Sequence, residues 1–555
     1  MVDELTLSLM YTLIVIIIYI RIVYYLWKKK ILERLNISFF GPFLMWRTKR
    51  GRIFLDKVSK KRRFWNAYGI LSIIILLLSM VLISAIILLG SIAAMNARAE
   101  PLPPEQILAL PGLNPLIPLW YGIFALAIAV IIHEFAHGIL ARSANIKLKS
   151  LGILYCIVPV GAFVEPDEKQ LESTKKSNRV KIFSTGPATN IIFGLLCAMI
   201  FSWCFMASLT PVEDGVIIFE TYEGPAQFSQ PEIKPGMEII EINGEPIDGY
   251  SDYFHYNGSA PNETISLGIL YKGEHRRIEN ITSGLTVIST GEDDGEEYPA
   301  YKAGIKPGMI IAEVDGVEIR NHGDFSDFMD TTAADQVISI TVLEYQKFDD
   351  NNPTGNLKGF YVPRVFNVTL TDKYDALKDI VLYDIEKEKG KGYLGVSTSY
   401  LGLGVRDVND FSESLAYPVR SAESTAERRA NIIRYAVALP MDLDLQILPF
   451  HSPLTDLYEV EGPLGVLPND LFWIFANAFY YLFWINLLVG TFNALPMKPL
   501  DGGYVFKDGI DSVIKRIKKG LSEAKRERYV NLLSNFIAFF FFLLILWTLI
   551  VPRIL

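Results

Sequence analysis

Six apolar runs punctuate this chain, at roughly 9–27, 69–96, 117–141, 182–209, 471–495 and 534–551. Each is close to the length of about 20 apolar residues that crosses a bilayer, so the pattern predicts six transmembrane helices. The first run is read as a retained anchor, because it lacks a basic start and a small-residue cleavage site and Lys28 to Lys30 follow it. Between the fourth and fifth runs the period changes. Short β-rich runs such as "GVIIFE", "TISLGILY" and "ISITVLEY" alternate with Gly, Pro, Asn and Asp turns. The expected fold class is therefore a polytopic α-helical membrane protein with an inserted extracytoplasmic α+β region.

That insert repeats itself. "IKPGMEIIEINGEPI" at 233–247 matches "IKPGMIIAEVDGVEI" at 305–319, with the Pro-Gly turn and the later Asn-Gly or Asp-Gly turn both held in register. Two turn signals in register predict a duplicated module of about 70–80 residues. The pattern resembles PDZ domains attached to microbial membrane proteases. In each copy a Gly precedes an apolar strand, Gly215 before "VIIF" and Gly284 before "LTVI". The resemblance implies that the edge of such a strand accepts an extended peptide by β-augmentation. Modules that only obstruct access are the alternative.

Composition and charge set the orientation. Half of the 555 residues are hydrophobic, which excludes an ordinary soluble enzyme. The three loops 28–67, 142–181 and 496–533 together hold 30 Lys/Arg against 11 Asp/Glu, whereas 210–470 holds 20 against 45. With six spans the basic loops share one side, which the positive-inside rule makes cytoplasmic, leaving 210–470 and both termini outside. Sequons at Asn257, Asn262, Asn280 and Asn367 all fall in that outer region. Cys156, Cys197 and Cys204 lie in or near apolar runs, without metal-ligand spacing, so no disulfide framework is expected.

The third run carries the chemistry. "IAVIIHEFAHGIL" places His133, Glu134 and His137 at membrane depth, where ionisable groups are costly and usually functional. On a helix, residues four apart share a face, so both imidazoles can reach one metal and Glu134 can take a proton from its water. A catalytic zinc usually has three protein ligands. The fifth run ends in "NALPMKPLDGG", where proline stops the helix and sets Asp501 at a break. Taken alone, that segment reads as a Pro/Gly loop with a solvated aspartate.

Together, H-E-x-x-H and the later N-x-x-P-x-x-x-x-D-G resemble the site-2 protease family of intramembrane zinc metalloproteases, over about 115–210 and 471–510. The resemblance implies that His133, His137 and Asp501 hold Zn2+ and that Glu134 is the general base. It also matches "STGPATNIIFG" to a family G-P-x-x-N element, implying that Asn190 faces the active site. A bond from Asn190 to a neighbouring helix is the alternative. "LGILYCIVPVGAFVEPDE", from Leu151, reads as a re-entrant β-like hairpin, where the family has a substrate-pairing loop. Gly161 and Phe163 in that hairpin, and Asn493 at the end of the fifth run, are the expected substrate-binding residues. Depth gives a separate check. His133 lies nine residues before Arg142 and Asn190 nine past Lys181, each roughly 13 Å from the basic side at about 1.5 Å per residue.

The expected organisation is a transmembrane hairpin with a basic loop at 1–114, and a first protease half at 115–210. PDZ-like modules follow at 211–283 and 284–395. An unassigned outer segment spans 396–470, and 471–555 holds the second half with the Asp ligand. Expected partners are pre-cleaved transmembrane protein substrates and the lipid bilayer, with no nucleic acid. The active site is expected toward the cytoplasmic leaflet of a multi-pass cell-membrane protein. Two rivals stand beside this reading: a membrane chaperone or scaffold with a vestigial metal site, and a transporter. A transporter would spread polar groups through the bilayer, whereas here they gather on one side.

Overall fold

Among the described residues, aliphatic and aromatic side chains fill five helices that are long and apolar enough to cross a membrane. In lipid the backbone must bond within its own segment, so such sequences form helices. The computed structural model describes residues 18–35, 37–40, 43–47, 50–96, 111–114, 116–156, 158–293, 296–347, 359–378, 386–417, 450–518 and 520–551. Of the expected span at 9–27, residues 9–17 lie outside these and 18–27 are helical, and most of "IIRYAVALPMDLDLQILPF" lies outside. The described residues divide into two compact units, 1–199 with 478–555, and 200–477.

Among the helices of the first unit are α1 (Arg62–Asn96), α2 (Leu119–Ser143), α3 (Lys176–Ile200), α4 (Asn469–Asn493, which begins in the other unit), α5 (Asp501–Ile517) and α6 (Glu523–Ile550). Leu78 and Val81 on α1 and Leu532 and Phe536 on α6 are more than 60% exposed, as lipid-facing side chains are. α2 follows Pro118 and closes at Asn145, which takes the left-handed φ of 65° while Ile146 N–H returns to Ala141 O at 2.9 Å. Small residues let the helices approach closely. A Cβ on Gly490 of α4 would lie 2.6 Å from Ile191 Cγ1 and 2.8 Å from Pro187 O of α3.

The segment from Leu151 forms the expected hairpin, β3 (Leu148–Cys156) with β4 (Val158–Pro166). Two strands from the basic loop, β1 (Ile37–Phe40) and β2 (Phe43–Arg47), extend it to an antiparallel sheet in the order β1-β2-β3-β4. β4 is therefore an edge strand and lies against α2. A Cβ on Gly138 would meet Val164 Cγ1 at 3.0 Å, so the glycine after the second histidine gives β4 its room.

The second unit holds two similar sheets. The first uses β5 (Val216–Thr221), β6 (Glu238–Ile242), β7 (Thr264–Tyr271) and β8 (Glu274–Thr282). The second uses β9 (Leu285–Ser289), β10 (Ile310–Val314), β11 (Val337–Lys347) and β12 (Gly359–Thr369). Two further strands, β13 (Ser397–Tyr400) and β14 (Leu403–Asp407), complete them in the orders β12-β11-β10-β9-β13 and β8-β7-β6-β5-β14. The second sheet is thus nested in sequence within the first. The turns after β6 and β10 explain the repeat: Asn243-Gly244 and Asp315-Gly316 all have positive φ, as two-residue hairpin turns require. Each sheet has its own core, one around Val216, Ile239 and Leu267, the other around Leu285, Ile311 and Ile338.

This topology corrects one expectation. The strands after Gly215 and Gly284 offer no free edge, because β5 lies between β6 and β14 and β9 lies between β10 and β13. The covering strands come from 397–407, beyond both segments expected to form the modules.

Glu238 on β6 is fully buried, and neither carboxylate oxygen has a partner among the described residues. Burial first, then the nearby Glu213, Asp214 and Asp407 carboxylates, push its pKa up to about 8 from 4.5. Tyr458, the other titratable group beside it, donates its hydroxyl to Val408 O. The folded state keeps the Glu238 proton up to about pH 8, whereas the unfolded chain releases it near 4.5. Unfolding releases a proton throughout that window, so stability falls as pH rises across it, by roughly 5 kcal/mol in all. Glu238→Gln should flatten the fall, and its unfolding temperature should exceed the parent's by more at pH 8 than at pH 5. Parallel pH profiles for the two proteins would exclude Glu238 as the source.

Candidate metal centre

His133 and His137 sit one turn apart on α2, and the chain returns at Asp501 to meet them. Asp501 Oδ2 lies 3.0 Å from His133 Nε2 and 3.2 Å from His137 Nε2, and the two Nε2 atoms are 3.1 Å apart. Among the described residues this is the one group of three or more such side chains with donor atoms gathered within 4.8 Å.

Each arrival has a local cause. Asp501 is the first residue of α5, after a turn containing Pro496 and Pro499 that cannot continue α4. The two glycines after it are required by close packing: a Cβ on Gly502 would lie 2.1 Å from Ala494 O, and one on Gly503 2.5 Å from Lys498 N. α3 lines the opposite side. A Cβ on Gly186 would fall 2.4 Å from His137 Nε2 and 2.7 Å from His133 Nε2, so only glycine leaves the nitrogens accessible. Four residues earlier on the same face, Ile182 O accepts from His137 Nδ1 at 2.7 Å. That bond keeps a proton on Nδ1 and leaves the Nε2 lone pair facing the other two donors.

The donor set fits a metal. Two donors on one tetrahedral zinc, at roughly 2.0–2.1 Å each, stand about 3.3 Å apart, close to the three separations here. Two imidazoles and a carboxylate also match the three-ligand pattern of catalytic zinc. Burying the three groups without an ion would leave two nitrogen lone pairs facing an anionic oxygen.

Glu134 is half-buried and accepts from Val164 N–H on β4 at 2.9 Å. Asn190 is fully buried one turn beyond Gly186, and its Nδ2 donates to Ala129 O of α2 at 3.2 Å. This is the helix-to-helix bond that the sequence left as the alternative, and Oδ1 has no partner among the described residues. Gly161 and Phe163 lie on β4, with Phe163 paired to Gly152 of β3. The Asn493 amide bonds within its own helix, to Val489 O at 2.9 Å.

Sequence reasoning missed several groups that hold the site. Ile182 acts through a backbone carbonyl, which no side-chain pattern reveals. Arg179 of α3 grips Asp508 of α5 with two bonds of 2.5 and 2.7 Å, two turns past Asp501. Lys176 and Arg526 both reach Asp511, which ties α3 and α6 to α5. Bidentate Arg–carboxylate pairs fix orientation as well as distance, so this network sets the angle at which α5 presents Asp501.

A family profile described as peptidase family M50 matches residues 121–543. An uncharacterised protein of Methanocaldococcus jannaschii is 33% identical over 243 residues, covering 43% of this chain and 62% of that protein. The regulator of sigma E protease of Haemophilus influenzae is 22% identical over 437 residues, 70% of this chain and 89% of that protein. A Rhizobium meliloti protein named as a zinc metalloprotease is 24% identical over 205 residues, 30% of this chain and 53% of that protein. The chain thus spans less than two thirds of the first and third of these. Zn2+ is the metal that suits the donor set and the one that the Rhizobium relative's name carries. With its profile match over most of the chain and five membrane-length helices, the chain belongs to peptidase family M50, the site-2 protease family.

Proposed function

We propose that this protein is a zinc-dependent intramembrane endopeptidase that cleaves transmembrane segments of membrane-anchored proteins. The observation that carries the reading is the meeting of His133, His137 and Asp501, the last drawn from 364 residues beyond His137. Zinc held by these three supplies Lewis-acid polarisation of the scissile carbonyl and a water of lowered pKa. Glu134 takes the proton from the attacking water and delivers it to the leaving amine.

A helical substrate hides its carbonyls, so it must be held extended. β4 is the free edge beside α2, and a substrate strand added there gains backbone bonds without a sequence requirement. Val164 N–H, now bonded to Glu134, is one of the donors such a strand would take, which sets the substrate backbone next to the base. Gly161 and Phe163 then flank the pairing strand.

The nested modules are read as PDZ-like and extracytoplasmic, on a six-span topology with the zinc site toward the cytoplasmic leaflet. They filter or recognise substrates already cut by another protease. A cleft of about 140 Å³ between the helix His322–Asp330 and the segment leading into β13 supports recognition. Phe325, Met329 and Val396 give it an apolar wall suited to a peptide side chain, while its Lys373 and Lys391 are paired with Glu388 and Asp330. A scaffold with a vestigial site would use the same cleft, and activity separates the two.

Three substitutions test the assignment. Asp501→Ala should lose most bound zinc in metal analysis, while full retention would remove Asp501 from the ligand set. Glu134→Gln should keep the metal and lose hydrolysis of a purified single-span substrate, because an amide cannot accept the proton. Substantial residual cleavage would remove Glu134 from the role of base. Asn190 has a second amide hydrogen for the oxyanion, and losing such a donor typically costs about 10²–10³ in turnover. Asn190→Ala should therefore lower turnover with zinc intact. A loss of about 1 kcal/mol in stability with near-normal turnover would instead leave Asn190 only its bond to Ala129.

A further inference from the structure

A polar cavity of about 310 Å³ opens where the basic-side ends of α1, α2 and α3 converge. Arg62 and Asn66 of α1, Ser143 and Asn145 at the end of α2, and Asn178 and Lys181 of α3 line it, and no carboxylate among the described residues does. Two cations from different helices therefore face one space with no negative partner on its wall.

Both cations are held in place. Arg62 Nη2 donates to Asn145 Oδ1 at 2.6 Å, and Lys181 Nζ donates to Asn66 Oδ1 at 2.6 Å. Each asparagine spends its oxygen on a cation and keeps its NH2 group as a donor. The Lys181 stem is seated as well, since a Cβ on Gly69 would touch its Cβ at 3.1 Å. The simplest other role for these charges is capping the C-terminus of α2. That end is already closed by Ala144, Asn145 and Ile146 N–H groups bonding to Leu140, Arg142 and Ala141 carbonyls. The cavity thus gathers two fixed positive charges and several neutral donors.

We infer that this cavity binds a phosphate-bearing anion, with Arg62 and Lys181 as its charge partners and the asparagine amides and Ser143 as further donors. The site does not depend on the proteolytic reading. An anionic phospholipid headgroup and free phosphate share this chemistry. Two features favour the lipid. Lys57, Lys60, Lys61 and Arg63 surround Arg62 in sequence, and such clusters at the start of a transmembrane helix attract anionic leaflets. Ile70 and Leu71, two turns along α1, are about half exposed and offer acyl chains a surface.

The test titrates full-length protein in neutral detergent with short-chain phosphatidylglycerol, the matching phosphatidylcholine and inorganic phosphate, following the unfolding temperature. Saturable protection by phosphatidylglycerol well ahead of phosphatidylcholine is expected. Added protection by inorganic phosphate would make the phosphate group itself sufficient, and protection by the lipid alone would make the source the headgroup. The pair Arg62→Gln with Lys181→Gln should weaken this binding about 30-fold, at about a kcal/mol per charge. The control pair Lys60→Gln with Lys61→Gln removes the same charge from the surrounding cluster but not from the cavity, and should weaken binding clearly less. Should the first pair not purify folded, Ser143→Asp puts a negative charge in the cavity and must give a comparable loss. Protection by neither phosphatidylglycerol nor phosphate, or equal weakening in both lysine-containing pairs, would overturn the inference.

Discussion

Ionisable side chains at membrane depth must satisfy one another, since water is not there to do it. Much of the first unit follows from that constraint. Two histidines on α2 need a third group, and the chain meets the need by ending α4 at Asn493 and starting α5 at Asp501. Close approach then demands Gly502 and Gly503 at the turn and Gly186 opposite. The tautomer demands a carbonyl acceptor, and Ile182 supplies it. The angle of α5 demands an anchor away from the site, and the Arg179–Asp508 pair supplies that. Every one of these partners on α3 lies on one face, at Arg179, Ile182, Gly186 and Asn190, so a single helix surface sets the whole cluster.

The sheets follow a different constraint, the management of edges. In the first unit one edge, β4, stays open beside the residue that would act as base. In the second unit the apolar strands β5 and β9 are covered on one side by β6 and β10 and on the other by β14 and β13, which arrive late in the chain. Nesting the second sheet inside the first brings β13 and β14 out of one short segment, and Tyr400 at the end of β13 packs into the first sheet's core. A fragment that stops at 395 would lack both strands and leave β5 and β9 with open edges.

Where the sequence was legible, spacing did the work. Side chains four apart on α2, proline breaks before Asp501, and the paired Asn-Gly and Asp-Gly turns each have one physical reading, and the structure carries the corresponding helix, break and turns. What escaped had no such signature. β13 and β14 come from "STSYLGLGVRD", which is short, begins polar and is interrupted by Gly402 and Gly404. The pairing of β2 with β3 joins segments more than a hundred residues apart. Glu238 sits in "EIIEI", where a register shift between Ile239 and Glu241 breaks the two-residue period and hides an acid in the core. Asn190 shows the limit from the other side: the motif marked it as facing the site, while the bond it makes is to the α2 backbone.

The position at which the peptide bond breaks distinguishes proteolysis inside the membrane from proteolysis outside it. Purified protein and a single-span substrate reconstituted together in liposomes, with the products sized by intact-mass spectrometry, give that position directly. The predicted result is a cut within the apolar span of the substrate, toward the basic side of the membrane, abolished by a zinc chelator and restored by added zinc. Cleavage confined to the water-exposed flanks of the substrate, or cleavage inside the span that persists without zinc, would contradict it.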